Sequence, residues 1–268
     1  MSGTPTKADV TAVAKRAVEI LKNAHLPCYL FGSMAAMLWG NSRAPNDVDL
    51  VVLTTVYGAE TVKRLIVNSD ARYQLVPSKN PRKTYKVLWY KDGTFSCKVD
   101  ILIPPTLNTP SLTESRIVWK EELPVCPLLP LLLLKLQGWH DNSSARWSNL
   151  RAKSRVDAAD VTELLAAAVR GDMKIADVQW LDPAFVQTSR MRARSFAGSY
   201  PASRDTWAAL GFTPSYQAPA PTLQPYVSVH RIGRSRNFDD FDNFDFMIEE
   251  EDDWDLLWEE EEADFDLF

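Results

Sequence analysis

The sequence predicts a mixed α/β fold of the α+β kind, in which a mixed sheet flanked by helices precedes a small helical annex and a disordered acidic tail. Short apolar runs alternate with amphipathic segments up to about residue 104, helical periodicity dominates the following segment, and the chain ends in acids mixed with aromatic residues. We therefore expect four parts: an α/β domain (1–110), the annex (111–175), a poorly ordered basic segment rich in Pro, Ser and Arg (176–236), and the tail (237–268).

The α/β domain begins with an amphipathic helix from Lys7 to Ala24, whose apolar residues recur at helical spacing. The run from Cys28 to Phe31 is short, apolar and aromatic, which favours a buried strand. It stops at a Gly-Ser turn, and Met34 to Trp39 then predicts a small apolar helix that ends at Gly40. The expected order is therefore helix, strand, turn, helix.

The next predicted strand, Asp47 to Leu53, starts polar and becomes fully apolar, which should place its acids at an open end of the sheet. A helix is expected over Ala59 to Asn68, followed by strands over YQLVP, YKVLWY and FSCKVDILI. After a proline-rich loop, helical signals return. They cover Pro130 to Trp139 and Ser154 to Arg170.

Charge is divided unevenly along the chain, whose formal net charge is −5. The segment from Asp239 to Asp266 holds 16 acids and no base, which leaves 30 bases against 19 acids in the rest of the chain. A basic body suits phosphate-bearing ligands, although solvated surface lysines explain the same balance. The acidic tail is expected to be disordered, with a role as a solubilising segment, a partner-binding segment or a flap over the basic body.

The three cysteines, Cys28, Cys97 and Cys126, are widely spaced and form no CxxC pair, so they predict reduced core thiols. The first residues, MSGTPTKADV, lack the layout of a secretory signal. The longest apolar run, Leu123 to Leu136, contains prolines and is shorter than the roughly 20 residues that span a bilayer. We expect an intracellular protein, cytoplasmic or nuclear, with no membrane partner.

Three acids suggest a metal site. Asp47 and Asp49 are separated by one residue on a predicted strand, whose two-residue period sends both carboxylates to one face. Asp100 interrupts an apolar strand, where an unpaired charge would be costly. If the two strands are neighbours, the carboxylates should approach within roughly 6 Å and could hold two magnesium ions. The structural alternatives are a chance Asp-x-Asp pair at a strand end and an edge-strand acid that faces solvent.

Gly32 and Ser33 form a turn suited to an anion. Glycine lets the backbone approach a ligand without a Cβ, and serine adds a hydroxyl at a helix N-terminus, whose free N–H groups favour phosphate. The Gly-Ser dipeptide is common, so the alternative is an ordinary turn with a helix cap. Its position between a strand and a helix, ahead of the Asp-x-Asp strand, favours the anion site.

The segments LFGSMAAMLWGNSRAPNDVDLVV and CKVDILI resemble the nucleotidyltransferase superfamily typified by DNA polymerase beta, and especially its small stand-alone members related to abortive-infection toxins. The resemblance covers about residues 8–104 and extends more loosely to about residue 170. It implies that Gly32 and Ser33 bind the triphosphate and that Asp47 and Asp49 hold both metals. It also implies that Asp100 holds the catalytic metal and receives the acceptor hydroxyl.

Two cations join the nucleotide site that the resemblance implies. Arg43 lies four positions before the Asp-x-Asp pair, where many of the toxin relatives carry an arginine. Pro45 departs from their pattern, because they usually have threonine there and proline supplies neither a hydroxyl nor an N–H group. Lys135, in LLLLKLQGW, resembles a lysine that reaches incoming phosphates, but it could also extend along its helix into solvent.

Asp157 and Asp160, in KSRVDAADVTELL, resemble the helical acid motif of the same relatives. They are three residues apart, which places them on one face of a helix. The alternative is that they pair locally with Lys153 or Arg155.

The sequence thus predicts a magnesium-dependent enzyme that transfers a nucleoside monophosphate from a nucleoside triphosphate to a hydroxyl of RNA, protein or a small molecule. One alternative is a catalytically inactive nucleotidyltransferase fold that binds nucleic acid or a regulator. Another is an antibiotic-type adenylyl transferase, which shares the site and differs in its acceptor. Acceptor pockets lie in loops that the sequence does not place, so the acceptor stays open.

Overall fold

A mixed sheet lies at the centre of residues 3–78 and 85–212, the part of the chain that the computed structural model describes. Its strands are β1 (Cys28–Leu30), β2 (Asp47–Val52), β3 (Tyr73–Pro77), β4 (Lys86–Lys91), β5 (Ser96–Leu102), β6 (Val118–Lys120) and β7 (Leu123–Val125). They stand in the order β3-β4-β5-β2-β1-β7-β6. The pairs β2–β5 and β1–β7 are parallel, and the other neighbours are antiparallel.

The register of β2 against β5 brings the acidic residues of the two strands to the same level. Asp49 lies opposite Asp100, and Asp47 lies opposite Lys98. The sequence prediction that the two acid-bearing strands are neighbours is therefore confirmed. The apolar residues of β2 and most of those of β5 are buried, which anchors this pair in the middle of the sheet.

The helices of this part of the chain are α1 (Lys7–Asn23), α2 (Gly32–Leu38), α3 (Ala59–Ser69), α4 (Leu128–Ser144), α5 (Ser148–Arg170), α6 (Pro183–Ser199) and α7 (Arg204–Ala209). A capping box starts α1, because the Asp9 N–H donates to Thr6 Oγ1 at 3.3 Å and the Thr6 N–H donates to the Asp9 carboxylate at 2.8 Å. The apolar face of α1 is buried as its periodicity predicts.

The long helices α4 and α5 are fastened to the segment around α2. The Trp39 indole N–H donates to the Cys126 carbonyl at 2.9 Å, just before α4 begins. Beyond α2, the Asn41 amide donates to the Asp160 carbonyl on α5 at 3.1 Å. Glu163 accepts hydrogen bonds from the backbone N–H and the hydroxyl of Ser42, each at 2.6 Å. These bonds hold one side of α5 beside the loop that leads into β2.

Residues 118–125 lie in the sheet, although the sequence analysis placed them in the helical annex. β6 and β7 pair with each other, and β7 extends the sheet beside β1, with Leu30 in register with Val125. The short LPV run lies before the helical signal that begins at Pro130, and the sequence analysis predicted no strand for it. Its backbone instead completes the edge of β1, since the Cys126 N–H donates to the Leu30 carbonyl at 2.9 Å.

The poorly ordered segment predicted from residue 176 is wrong for residues 183–212, which form α6, α7 and their connection. Asp182 caps α6 by accepting the Ala184 and Phe185 N–H groups at 2.6 and 3.2 Å, and Pro183 fits the first helical turn. Phe196 and Trp207 are almost fully buried. Phe196 also meets the ring of Trp139 on α4 edge to face, with centroids 4.8 Å apart. Burial of these aromatic side chains thus stabilises ordered helices in a segment of polar composition.

Two further expectations have clear outcomes. The three cysteines are free and buried, as predicted for core thiols. Within residues 3–78 and 85–212, no helix has the length and apolar character needed to cross a membrane. The acidic tail lies outside the described residues, as do residues 213–236 of the predicted basic segment. The division of the chain into four parts stays a prediction.

Candidate active site

The three acids singled out in the sequence converge at one place on the sheet. Asp47 and Asp49 project from β2, and Asp100 projects from the neighbouring β5. One carboxylate oxygen from each lies within 4.8 Å of the others. Asp100 is buried, whereas the other two are partly exposed, so the cluster opens toward solvent on one side. The predicted convergence is confirmed as geometry.

Lys98 also belongs to this cluster, although the sequence analysis did not identify it. Its ammonium lies 3.3 Å from Asp100 Oδ2, and only 12% of its side chain is exposed. The signal was present in the sequence, because residues two apart on a strand share a face and Lys98 precedes Asp100 by two positions. The face thus carries three carboxylates and one ammonium.

Burial raises the pKa of both Asp49 and Asp100 above the ordinary carboxyl value. For Asp49, the negative charge of Asp47 raises the pKa further. Nearby lysines oppose the rise at Asp49, namely Lys98, Lys135 and Lys153. The pKa of Asp49 stays raised despite these lysines, chiefly because of burial, so an additional cation among the carboxylates would stabilise their charged forms.

The donor chemistry of the cluster fits magnesium. When all three acids are ionised, three negative charges and the single positive charge of Lys98 leave a net charge of −2, which a divalent cation balances. Magnesium prefers oxygen ligands and is commonly held by one or two carboxylates together with water and substrate phosphates. Asp47, Asp49 and Asp100 are the residues that would hold it. The number of ions stays a prediction.

Gly32 lies directly against Asp49. A Cβ at Gly32 would come within 1.7 Å of Asp49 Oδ2, and the φ of Gly32 is +58°, a conformation that L side chains rarely adopt. The Phe31 N–H donates to the Asp49 carbonyl at 3.0 Å, which joins the start of α2 to β2. Sequence reasoning assigned this glycine to close approach of a phosphate, whereas in the structure its close neighbour is Asp49, an acid of the cluster.

The Ser33 hydroxyl donates to Asp47 Oδ1 at 3.1 Å, so it supports a carboxylate of the cluster. Ser33 is buried at the first turn of α2. The N-cap residue, Phe31, provides no side-chain acceptor for that turn, so no side chain caps its N–H groups. The expected phosphate-binding role of Gly32 and Ser33 stays a prediction, and the bond to Asp47 ties this turn to the acids.

Arg43 and Lys135, the two predicted nucleotide-binding cations, meet at one buried carboxylate. Arg43 Nη2 and Lys135 Nζ lie 2.7 and 2.9 Å from Asp160 Oδ2. Hydrogen bonds from Arg43 and the charge of Lys135 outweigh the effect of burial and lower the pKa of Asp160. Two positive charges share one negative charge, so this group keeps a net charge of +1. Lys135 does not extend into solvent, the alternative considered from sequence.

Asp157 also has a hydrogen-bond partner on α4, since the Asn142 amide donates to its carboxylate at 2.7 Å. Asp157 and Asp160 therefore contact residues distant in sequence. The alternative considered from sequence was local pairing with Lys153 or Arg155. The roles of these acids are to fix α5 against α4 and, through Arg43, against the loop before β2. Their partners depend on helix packing, which the local sequence does not specify.

Three solved structures are similar to this chain. An antigenic nucleotidyltransferase-like protein from Paracoccidioides brasiliensis has a TM-score of 0.54 at 14% identity, over 77% of this chain and 92% of that chain. The antibiotic-resistance factor ANT(2'')-Ia has a TM-score of 0.42 at 12% identity, over 74% and 97% of the two chains. Terminal uridylyl transferase 4 from Trypanosoma brucei with bound GTP has a TM-score of 0.32 at 13% identity, over 74% and 67%.

No protein-family model and no curated protein matches the sequence. The similarity to the Paracoccidioides brasiliensis protein, at 14% identity, shows that the two chains share a fold. The other two structures are more distant, with TM-scores below 0.5. The expected fold class is therefore confirmed, with the acid cluster on the central strands.

Proposed function

We propose that this chain, which has a nucleotidyltransferase fold, is a magnesium-dependent enzyme that transfers a nucleoside monophosphate from a nucleoside triphosphate to a hydroxyl acceptor. The observation that carries the proposal is the convergence of Asp47, Asp49 and Asp100 within 4.8 Å on adjacent parallel strands. A structural role alone does not require three carboxylates at such distances, because their mutual repulsion opposes folding.

Asp47, Asp49 and Asp100 would hold magnesium, which when bound polarises phosphoryl oxygens and stabilises the charge that develops during transfer. The chain contributes the arrangement of the ligands. Gly32 leaves room for the Asp49 carboxylate, and the Ser33 hydroxyl donates to Asp47. Because both residues begin α2, this one helix start positions two of the three acids.

Asp100 is the residue that we assign to the proton of the attacking hydroxyl. Burial raises its pKa, which makes it a better proton acceptor than an ordinary surface carboxylate, and the Lys98 ammonium at 3.3 Å favours its ionised form. The ionised form of Asp100, from which it can receive a proton, would be favoured by a magnesium ion held by the cluster. Its location on β5, opposite Asp49, keeps that proton beside the other carboxylates.

The triphosphate is assigned to the start of α2 and to the group formed by Arg43, Lys135 and Asp160. Gly32 and Ser33 offer backbone N–H groups without a side-chain cap. The net positive charge of the Arg43 group attracts phosphate, and Asp160 orients both cations. Hydrogen bonding to Asp160 and, to a smaller extent, the charge of Asp47 raise the pKa of Arg43, which supports assigning the Arg43 group and the acids to one site.

A second candidate is a catalytically inactive nucleotidyltransferase fold with a binding or regulatory role. The observation that favours it is the Lys98–Asp100 pair, in which an ammonium already neutralises one acid of the cluster. An antibiotic-type adenylyl transferase remains the variant of the main proposal that differs in its acceptor. The intracellular location, cytoplasmic or nuclear, is part of the same proposal.

The test is label transfer by the full chain. The protein is incubated with magnesium, each α-labelled nucleoside triphosphate in turn, and total cellular RNA, total protein or aminoglycosides. Labelled acceptor is expected with the native protein, and none with Asp49→Asn or when magnesium is chelated. The matched control is Glu19→Gln, an exposed acid on α1, which should retain activity. If no class of acceptor is labelled but nucleotide still binds, the inactive alternative is favoured.

A further inference from the structure

The first turns of α5 are unusually exposed for a helix that later crosses the core. From residue 145 to residue 156, Leu150 is the one residue whose side chain is buried. After Val156, Asp157 and Ala158 begin the buried stretch that packs on α4. This end of α5 therefore presents a surface to solvent, which we call the α5 basic surface and define by Arg146, Trp147, Arg151, Lys153 and Arg155.

Four of these five residues are cations, and residues 142–156 contain no acid. All five are exposed. An acid-free run of this kind gives a local positive potential that is not balanced along the helix, unlike α1, where Glu19 accompanies the exposed lysines. The charge complements a polyanion.

Trp147 adds an aromatic platform to this charge. Its side chain is 60% exposed at the N-cap position of α5. The turn that carries it is held in place, because Arg151 Nη1 donates hydrogen bonds to the carbonyls of Ala145 and Arg146 at 3.0 and 2.6 Å. The exposed ring therefore offers a flat apolar face beside the cations of this surface.

The α5 basic surface adjoins the candidate active site. Lys153 precedes Asp160 on α5 by seven residues, or about two helical turns, so the two residues lie on the same side of the helix. The same helix carries Asp160, which binds Arg43 and Lys135 at 2.7 and 2.9 Å. A single-stranded polyanion that lies along this surface would thus have one end at the acids of the cluster.

We propose that the α5 basic surface binds single-stranded RNA as the hydroxyl acceptor, with phosphates on the cations and a base stacked on Trp147. This inference rests on the proposed function and specifies its acceptor class. Single-stranded nucleic acid is bound by a positively charged surface combined with aromatic side chains on which unstacked bases lie. The bases of a duplex are already stacked on one another, so a duplex would use the cations but not Trp147. An acidic protein would likewise need only the charges.

The test measures binding of the full chain to a labelled single-stranded RNA of about 16 nucleotides, to the matching duplex, and to polyglutamate, over a salt titration. The variants are Trp147→Ala and the double variant Arg146→Ala/Arg155→Ala. The matched controls are Trp119→Ala, an indole that is 62% exposed on β6, and Lys22→Ala/Arg170→Ala, two exposed cations elsewhere. Magnesium-dependent binding of nucleoside triphosphate is measured for every variant in parallel.

Trp147→Ala should weaken binding of single-stranded RNA by roughly 5- to 160-fold, the range for loss of one stacked base, and should affect the duplex little. The double variant should lower the slope of log affinity against log salt by about 1.4, since each single-strand phosphate contact contributes about 0.7. Both controls should match the native protein, and triphosphate binding should be unchanged throughout.

Equal losses of RNA affinity in Trp147→Ala and Trp119→Ala would overturn the inference. Equal effects of the variants on binding of RNA and of polyglutamate would also overturn it, in favour of an acidic protein partner. A native protein that binds magnesium and triphosphate but not RNA overturns it as well, and leaves the proposed function standing. RNA binding that depends on Trp147 without any triphosphate binding supports the surface and contradicts the proposed enzyme.

Discussion

The backbone of Gly32 lies so close to the carboxylate of Asp49 that a Cβ at residue 32 would be 1.7 Å from Asp49 Oδ2. The φ of Gly32, +58°, adds a second reason for glycine at this position. The turn before α2 and the Asp-x-Asp strand are therefore one unit, in which the glycine makes space for a proposed metal ligand.

Replacing Gly32 by alanine should displace Asp49 and weaken magnesium binding by about 10- to 100-fold, the usual effect of misplacing a metal ligand. The left-handed backbone adds about 1 to 2 kcal/mol of destabilisation. Calorimetric titration with magnesium and urea unfolding measure the two effects. The control is Gly138→Ala on α4, where a new Cβ meets nothing within 4 Å. That variant should bind magnesium normally, and unaltered binding in Gly32→Ala would refute the prediction.

Magnesium should stabilise the native protein, by about 2.7 kcal/mol at a hundredfold excess over its dissociation constant. Asp49→Asn should abolish this stabilisation. In chelator, the same variant should be at least as stable as the native protein, because it removes a charge from between Asp47 and Asp100 that burial disfavours. Thermal unfolding with and without magnesium measures both. If magnesium still raises the unfolding temperature of Asp49→Asn but no longer raises that of Glu19→Gln, the assignment is contradicted.

Asp160→Asn should destabilise the protein by about 3 kcal/mol, because Arg43 and Lys135 lose the buried carboxylate that they share. Urea unfolding at neutral pH measures the loss. The matched control is Asp172→Asn, which breaks a Lys174–Asp172 pair whose acid is 91% exposed and should leave the urea midpoint unchanged. Equal effects of the two substitutions would show that the Asp160 group does not anchor α5.

Asp70 provides a test of pH dependence away from the site. Hydrogen bonds from Arg72 and Arg16 lower its pKa in the folded protein below the ordinary carboxyl value. The unfolded chain therefore binds the proton more readily, so the contribution of Asp70 to stability is present above about pH 4 and is lost as the pH falls further.

Asp70→Asn should accordingly lower the urea midpoint at pH 7, and the gap to the native protein should close below about pH 4. Unfolding curves at several pH values, with Glu19→Gln as the exposed-acid control, measure this. A gap that stays constant down to pH values near 2 would show that the ion pairs of Asp70 do not stabilise the fold.

Several elements could be predicted because their signals are local. The helical spacing of Val10, Val13 and Leu21 predicted α1, and the two-residue spacing of Asp47 and Asp49 placed both on one strand face. The start of α6 carried a comparable signal in Asp182 and Pro183, an N-cap followed by a first-turn proline, which the polar composition of the segment obscured.

The sequence by itself determined the strand, Gly-Ser turn, helix and Asp-x-Asp order, since backbone periodicity and turn chemistry depend on neighbouring residues. Tertiary structure alone decided that Asp160 binds Arg43, 117 residues away, and Lys135, because that contact exists only when α5 packs on α4 and beside the loop before β2. It likewise decided that Gly32 faces Asp49. Tertiary structure also raises the pKa of Asp49 and Asp100. It does so by burying both carboxylates and by bringing together acids that are separate along the chain.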